Sequence, residues 1–339
     1  MKGKHIINPK FMPLMATIGL FSLMFGVSSV TLPGFFSLQN FYYLLIDNAY
    51  LIIMAVGMTF VIISGGIDLS VGSLLALTTM VTSSLVEKQL VNPMIVIPLV
   101  LLMGTVFGLF QGYLIQTFNL APFIVTLGGL YLARGLCYIV SIDTIPIVHP
   151  FFTAVSQFQI NVIGNNFISV NVVIAVIMTI IGIFLAHYTK FGRTVYAIGG
   201  NEQSALLMGL PVAKTKMLIY TFSGFCTALS GIAFTFYMRN GYALHGKGME
   251  MDAIAAVVIG GTLLTGGEGY VFGTLFGVLI YGTIQSYINF NGTLNAWWTR
   301  IVIGLLVFVF CLMQRFFETG KITRRADQKS VRKTETAAN

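Results

Sequence analysis

The sequence predicts an all-α integral membrane protein with about ten transmembrane helices, and three observations carry that reading. Of 339 residues, 56% are hydrophobic and only 9% are charged, where a soluble domain carries roughly 25% charged residues. Apolar runs long enough to cross a bilayer follow one another along most of the chain. Lys and Arg gather between these runs, mainly on alternate sides. The expected spans are about 12–30, 46–64, 70–86, 93–116, 122–141, 168–188, 217–238, 252–265, 269–288 and 297–314. The third is somewhat short for a full crossing. The eighth is distinctly short and interrupted by glycine.

Charge sets the orientation. With the N-terminus in the cytoplasm, 14 of the 19 Lys and Arg residues fall on the cytoplasmic side, the bias that fixes membrane topology. Lys88, Arg239, Lys247 and Arg300 fall outside, and Arg134 lies within a span. Both termini are therefore expected in the cytoplasm, together with the polar segment 190–216. Residues 1–317 read as one transmembrane domain, and 318–339 as a charged tail expected to be disordered. The longest external loop, 142–167, contains no Lys or Arg. A net charge of +8 does not point to nucleic acid, because the basic residues sit between apolar runs and in the tail. The first apolar run is long for a signal peptide and more spans follow, so an uncleaved first span is expected.

The segment Lys190–Lys216 carries start and stop signals for one short helix. Asn201 is suited to the N-cap, and Glu202 complements the helix dipole. Gly209 can take the left-handed conformation at the end, and Pro211 forbids continuation. Leu206, Leu207 and Met208 make the helix apolar, as a docking element requires. The chain has no nucleotide-binding loop of its own. Gly241–Gly248 nearly matches one, but Gly248 stands where a hydroxyl would hold Mg²⁺, and the string lies outside. Cys137, Cys226 and Cys311 lie in apolar runs, and the four His residues have no ligand spacing. Neither a metal nor another cofactor is expected on this chain.

Two glycine-rich interruptions leave alternatives open. Ser64–Ser73 is either a hairpin whose third helix is capped by Asp68, or a re-entrant element lining a pathway. Arg134 is costly inside a span, so it either pairs, with Asp68 as a possible partner, or lines a pathway. Gly260–Gly269 is either a tight glycine turn or the end of a half-helix, with Glu268 open to a role. Val61-Ile-Ile-Ser-Gly-Gly66 echoes Val257-Val-Ile-Gly-Gly261. Six spans separate them, which would make a parallel internal repeat.

Three further strings carry a resemblance. Ala55-Val-Gly-Met-Thr-Phe-Val-Ile-Ile-Ser-Gly-Gly-Ile-Asp-Leu-Ser-Val-Gly-Ser73, Phe191-Gly-Arg…Tyr196-Ala-Ile-Gly-Gly-Asn201 and Ala253-Ile-Ala-Ala-Val-Val-Ile-Gly-Gly-Thr262 resemble the ribose-type ATP-binding-cassette (ABC) sugar importer permeases, over residues 12–315. Val195–Asn201, Gly241–Leu244, Tyr287–Leu294 and Trp297–Thr299 narrow the resemblance to permease subunits for galactofuranose. The resemblance implies a type II-like importer permease fold in the bacterial inner membrane, surrounded by lipid. It implies two permease subunits, two ABC ATPase subunits that hold ATP and Mg²⁺, and a periplasmic sugar-binding protein. The galactofuranose relatives pair two different permeases, so a heterodimer is expected; homodimers are common among ribose-type relatives.

The resemblance also assigns residues. Glu202, Ala205 and Gly209 fall on the family's ATPase-coupling pattern, Glu-Ala-Ala-x-x-x-Gly, from which Gln203 and Ser204 depart. Asn201, Leu206 and Met208 complete the expected coupling set. A neutral monosaccharide needs hydrogen-bonding groups and apolar faces, and Asn48, Thr59, Ser64, Asp68, Phe123 and Arg134 are the pathway candidates. The alternatives are ribose or another sugar on the same machinery, or an ion-coupled secondary transporter using Asp68 or Glu268.

Overall fold

The computed structural model describes residues 12–32, 34–291 and 297–313. The expected tail, 318–339, lies outside the described residues. Seven helices have the length and apolarity to cross a bilayer: α1 (Met12–Thr31), α2 (Leu38–Ile63), α4 (Pro93–Thr117), α5 (Pro122–Val140), α7 (Val170–Tyr188), α10 (Val212–Met238) and α12 (Val271–Asn291). The other three expected spans are helical but shorter. They are α3 (Val71–Ser83, continued by a π-helical turn at Ser84–Lys88), α11 (Met249–Ile259) and α13 (Trp297–Met313). Three further helices lie between spans: α6 (Pro150–Gln157), α8 (Lys190–Gly200) and α9 (Glu202–Leu207).

The centre of the bundle is α2, packed against α7, α10, α11 and α12. Its apolar stretch is 83% buried, against 17% for that of α1 at the periphery. Such a helix is apolar all round because no face meets water. Close packing of α4 on α10 is set by small residues. Gly104, Gly108 and Gly112 recur every fourth residue on one face of α4 and meet Ala228, Tyr220 and Met217 of α10. In a bundle without a hydrophobic drive between helices, such backbone approach is what holds neighbours together.

The two glycine-rich interruptions prove to be matched helix ends. At the end of α2, Gly65 donates to the Ile62 carbonyl and Gly66 to that of Val61. At the end of α11, Gly261 donates to the Val258 carbonyl and Thr262 to that of Val257. Both are Schellman caps, and the residue that must turn left-handed is Gly65 (φ 81°) or Gly261 (φ 92°). The echo between residues 61–66 and 257–261 thus encodes the same backbone motif twice. With only 11 residues, α11 rises about 16 Å, half of a ~30 Å hydrocarbon core. The segment 260–270 then returns as irregular chain, buried at Gly260–Thr262, Gly266 and Gly269 and exposed at Leu264, Thr265 and Glu268.

At the opposite end the connecting segments are tied to one another. Strand β1 (Ile145–Pro146) pairs antiparallel with β4 (Asn240–Gly241), and β2 (Gln159–Asn161) with β3 (Phe167–Ser169). Glu87 accepts from the Val148 and His149 amides at 2.8 and 2.7 Å. The segment 142–167 is therefore an ordered cap, with Phe152 of α6 wholly buried beneath it.

The glycine face of α4 predicts a contrast. A Cβ at Gly108 would lie 2.1 Å from the Tyr220 carbonyl oxygen, whereas Gly135 of α5 has nothing within 4 Å. Gly108→Val should cost about 1–3 kcal/mol by overpacking, and Gly135→Val should stay within about 0.5 kcal/mol. Thermal unfolding of the purified protein in detergent reads both.

Candidate functional site

The short helix α9 is built as its sequence requires. The Asn201 side chain accepts from the Ser204 amide at 2.7 Å. Glu202 forms an ion pair with Lys216 of α10 at 2.5 Å. At the other end Gly209 (φ 73°) donates to the Leu206 carbonyl, and Leu210 to that of Ala205, a third Schellman cap. Ala205 is buried with Ile198 and Val212 in a small core beneath the helix. Leu206, Leu207 and Met208 are 55, 90 and 67% exposed. One face is thus fastened down and the other, apolar, is presented outward.

What α9 is fastened to is the joint between the two interrupted helices. Gly267 donates to the Ile63 carbonyl at 2.8 Å, linking the end of α2 to the 260–270 segment. Gly199 of α8 lies directly on this bond. A Cβ there would sit 1.8 Å from the Ile63 oxygen and 2.5 Å from the Gly267 nitrogen. Tyr196 of α8 donates to the Gly269 carbonyl at 2.7 Å. Burial, with Tyr270 adding to it, pushes the Tyr196 phenol up to about 12, so it remains a donor. Phe191 stacks on Phe60 of α2 at 5.7 Å. Helix α8 thus touches both α9 and the joint.

The six pathway candidates are scattered. Asn48 is buried, donates to the Leu44 carbonyl at 2.9 Å and packs on Gly282 of α12. Thr59 is buried and shares a hydrogen bond of 2.8 Å with Thr274. Ser64 caps α2 and donates to the Val61 carbonyl. Phe123, 51% exposed, stands on the surface of α5. Asp68 does not cap α3, whose N-cap is Ser70. It accepts from the Ser70 amide and hydroxyl and from Ser223 of α10 at 3.0, 2.6 and 2.8 Å. Arg134 does not pair with Asp68. Thr126 bonds the Ile67 carbonyl, and Arg134 lies eight residues further along α5, about 12 Å away. Its guanidinium donates instead to the Ala243 carbonyl and, at 2.7 Å, to that of His245. Burial, with the Arg134 charge second, holds the His245 imidazole down to about 4.

A group of residues outside that set does converge near the end capped by β1–β4. Tyr237 of α10 donates to Asp47 of α2, and Tyr281 of α12 to Asp252 of α11, both at 3.2 Å. Tyr50 lies 6.0 Å from Tyr237, ring to ring, within electrostatic reach of both carboxylates. Three phenols and two carboxylates from four helices thus face one region. The sequence signal was present: Asp47 and Asp252 are acidic residues inside otherwise apolar spans, and such residues normally serve a pathway.

The bundle thus has seven helices long and apolar enough to cross a membrane, two glycine-capped helix ends joined to one another, and a short helix with an exposed apolar face. The chain belongs to the family described as branched-chain amino acid transport system / permease component, which matches residues 40–311. It is 50% identical over 304 residues to the inner membrane ABC transporter permease protein YjfF of Escherichia coli K12, spanning 90% of this chain and 92% of that one. It is 41% identical over 315 residues to the fructose import permease protein FruG of Bifidobacterium longum, spanning 91 and 92%. It is 38% identical over 301 residues to the ribose import permease protein RbsC of Bacillus subtilis, spanning 88 and 91%. No solved structure matches the chain.

The contact of α8 with the joint makes neighbouring glycines unequal. Gly199→Ala drives a Cβ into main-chain atoms that cannot rotate away, while Gly200 has nothing within 4 Å. The first should destabilise the protein by about 1–3 kcal/mol. The second should be neutral or stabilise the helix by up to about 1 kcal/mol. Thermal unfolding of the two variants side by side tests this.

Proposed function

We propose that this chain is the permease subunit of an ABC sugar importer in the bacterial inner membrane, and that galactofuranose is its substrate. The observation that carries the reading is α9: capped at both ends, apolar outward, and seated through α8 on the joint between the interrupted helices. An exposed apolar helix of this kind fits a groove on a partner, and the partner is an ABC ATPase subunit that supplies ATP hydrolysis. In this reading the α8–α9 end faces the cytoplasm, and the chain termini lie on that side. The ordered cap at the other end receives a periplasmic sugar-binding protein. A second permease, a different chain, completes the pathway. The relatives named for fructose and ribose import support a monosaccharide cargo.

The mechanism is alternating access driven from outside the chain. Closure of the ATPase subunits on ATP displaces α9, and α8 carries the displacement to Ile63 and Gly267. The two interruptions then shift against α3 and α12, exchanging outward for inward opening. ATP and the loaded binding protein drive this only through unequal affinity for the two states. On the outer side, Asp47, Asp252, Tyr50, Tyr237 and Tyr281 offer what a neutral sugar requires: acceptors and donors for hydroxyls, and ring faces for its C–H surface.

Two substitutions test the reading. Burying a Leu side chain is worth about 1.5–3 kcal/mol, and each 1.4 kcal/mol is about tenfold in affinity. Leu206→Asp should therefore cut ATPase co-purification and ATP-driven uptake by about tenfold or more. Normal uptake with normal ATPase association would remove α9 from coupling. Asp252→Asn keeps the side-chain volume but removes the charge, and hydrogen bonds to charged groups are worth about 1.5–3 kcal/mol. It should raise the KM for sugar about tenfold with ATPase association intact. An unchanged KM would take this cluster out of the pathway.

A further inference from the structure

A cavity of about 340 Å³ lies at the α8 end of the molecule, between the end of α7, helix α8 and the 260–270 segment. One wall is made of three rings. His187 stacks on Tyr196 (6.1 Å, 22°) and meets Tyr270 at a tilt (5.8 Å, 35°). The facing wall includes Gly267 and Gly269, whose lack of side chains opens the cleft, while the Gly267 amide and the Gly269 carbonyl are bonded to Ile63 and Tyr196. Glu268 adds a carboxylate. We infer that this cleft is an exit-side binding site for a free neutral monosaccharide, and that its occupancy restrains the transport cycle. The inference rests on the sugar-import reading and adds to it a site at which the product acts.

The chemistry of the walls selects the ligand class. The volume is at the small end of the range for small-molecule sites, roughly 300–1,000 Å³, which suits one sugar ring and not an oligosaccharide or a nucleotide. No Lys or Arg lines the cleft among the described residues, and Glu268 does, so a phosphorylated sugar is repelled. Ring faces for C–H groups, and a carboxylate for hydroxyls, are the complement of an uncharged sugar. The position selects the consequence. The cleft is bounded by α8, which carries the coupling helix, and by the segment that bonds Ile63. A ligand touching both favours the arrangement in which they are apposed. Because α8 must move against that segment for the pathway to switch, such a ligand slows the cycle in proportion to its preference for one state.

The test uses proteoliposomes containing the complete transporter, with ATP added outside so that only complexes with outward-facing ATPase subunits work. The binding protein and sugar are sealed in the lumen, with galactofuranose, ribose and fructose as separate probes. The same sugar is then titrated outside, on the ATPase side, and ATP hydrolysis is followed. The expected result is a fall of about tenfold in stimulated hydrolysis, within the usual range for coupling between two sites. Tyr270→Ala and, independently, His187→Ala should retain stimulation by lumenal sugar and lose the fall. Stimulated hydrolysis that ignores outside sugar overturns the inference alone, as does a fall undiminished in both variants. Absence of stimulation by every lumenal sugar overturns the import reading, and this inference with it. If the variants do not fold, equilibrium binding of each radiolabelled sugar to the detergent-solubilised complex, without binding protein, decides. Saturable binding that the apo permease shares supports the site. No binding, or binding by the ATPase subunits alone, overturns it.

Discussion

The amide of Gly267 donates to the carbonyl of Ile63, and much of the working end of the molecule depends on that one main-chain bond. Ile63 ends α2 and Gly267 lies in the segment that follows α11, and a helix that ends leaves carbonyls without partners. In a bilayer such groups must be satisfied inside the protein. Schellman caps settle the carbonyls of Val61 and Ile62 on one helix and of Val257 and Val258 on the other. The next carbonyl of each is met from elsewhere in the chain: Ile63 by Gly267, and Ile259 by the Thr17 hydroxyl of α1. The end of α2 is thereby fixed by a main-chain bond, and the end of α11 by the hydroxyl of a buried side chain on α1. Gly199 can press on the joint only because it has no Cβ.

The opposite end is held by a different device. Arg134 spends its guanidinium on the carbonyls of Ala243 and His245, and Glu87 spends its carboxylate on the amides of Val148 and His149. Each charge organises a connecting segment by bonding its backbone, and β1–β4 joins the two segments. Charge-assisted bonds to peptide groups are among the stronger ones available. A surface built this way keeps its shape, which suits a face that receives a soluble partner. The tyrosine–carboxylate group lies just beneath it, drawn from α2, α10, α11 and α12. The molecule thus has a braced cap at one end, a polar constellation below it, and a main-chain joint bearing α8 at the other.

How much of this was legible depended on range. The cap of α9 could be read from Asn201, Gly209 and Pro211, because capping acts over four or five residues. The glycine pairs at 65–66 and 260–261 marked interruptions for the same reason. Asp68 misled, since an acidic residue ahead of a helix suggests a cap. Its partner Ser223 lies 155 residues on, beyond any local signal. Arg134 misled in the same way: its helix was right, but its depth along α5 placed it near the outer cap and away from Asp68. Asp47 and Asp252 were overlooked, although acidic residues within apolar spans are a local signal as plain as Arg134.

By itself, then, the sequence determined that the chain is a helical membrane protein, the polar segment 190–216 with its capped helix, and the two glycine interruptions. These follow from apolar length, capping chemistry and the freedom of glycine, all of which act along the chain. The tertiary structure alone decided which interruptions meet and what lies on their joint. It also decided that Asp47, Asp252, Tyr50, Tyr237 and Tyr281 share one region. These are contacts between residues far apart in the chain. Nothing in the local sequence distinguishes one glycine face or one hydroxyl partner from another until close packing has chosen between them.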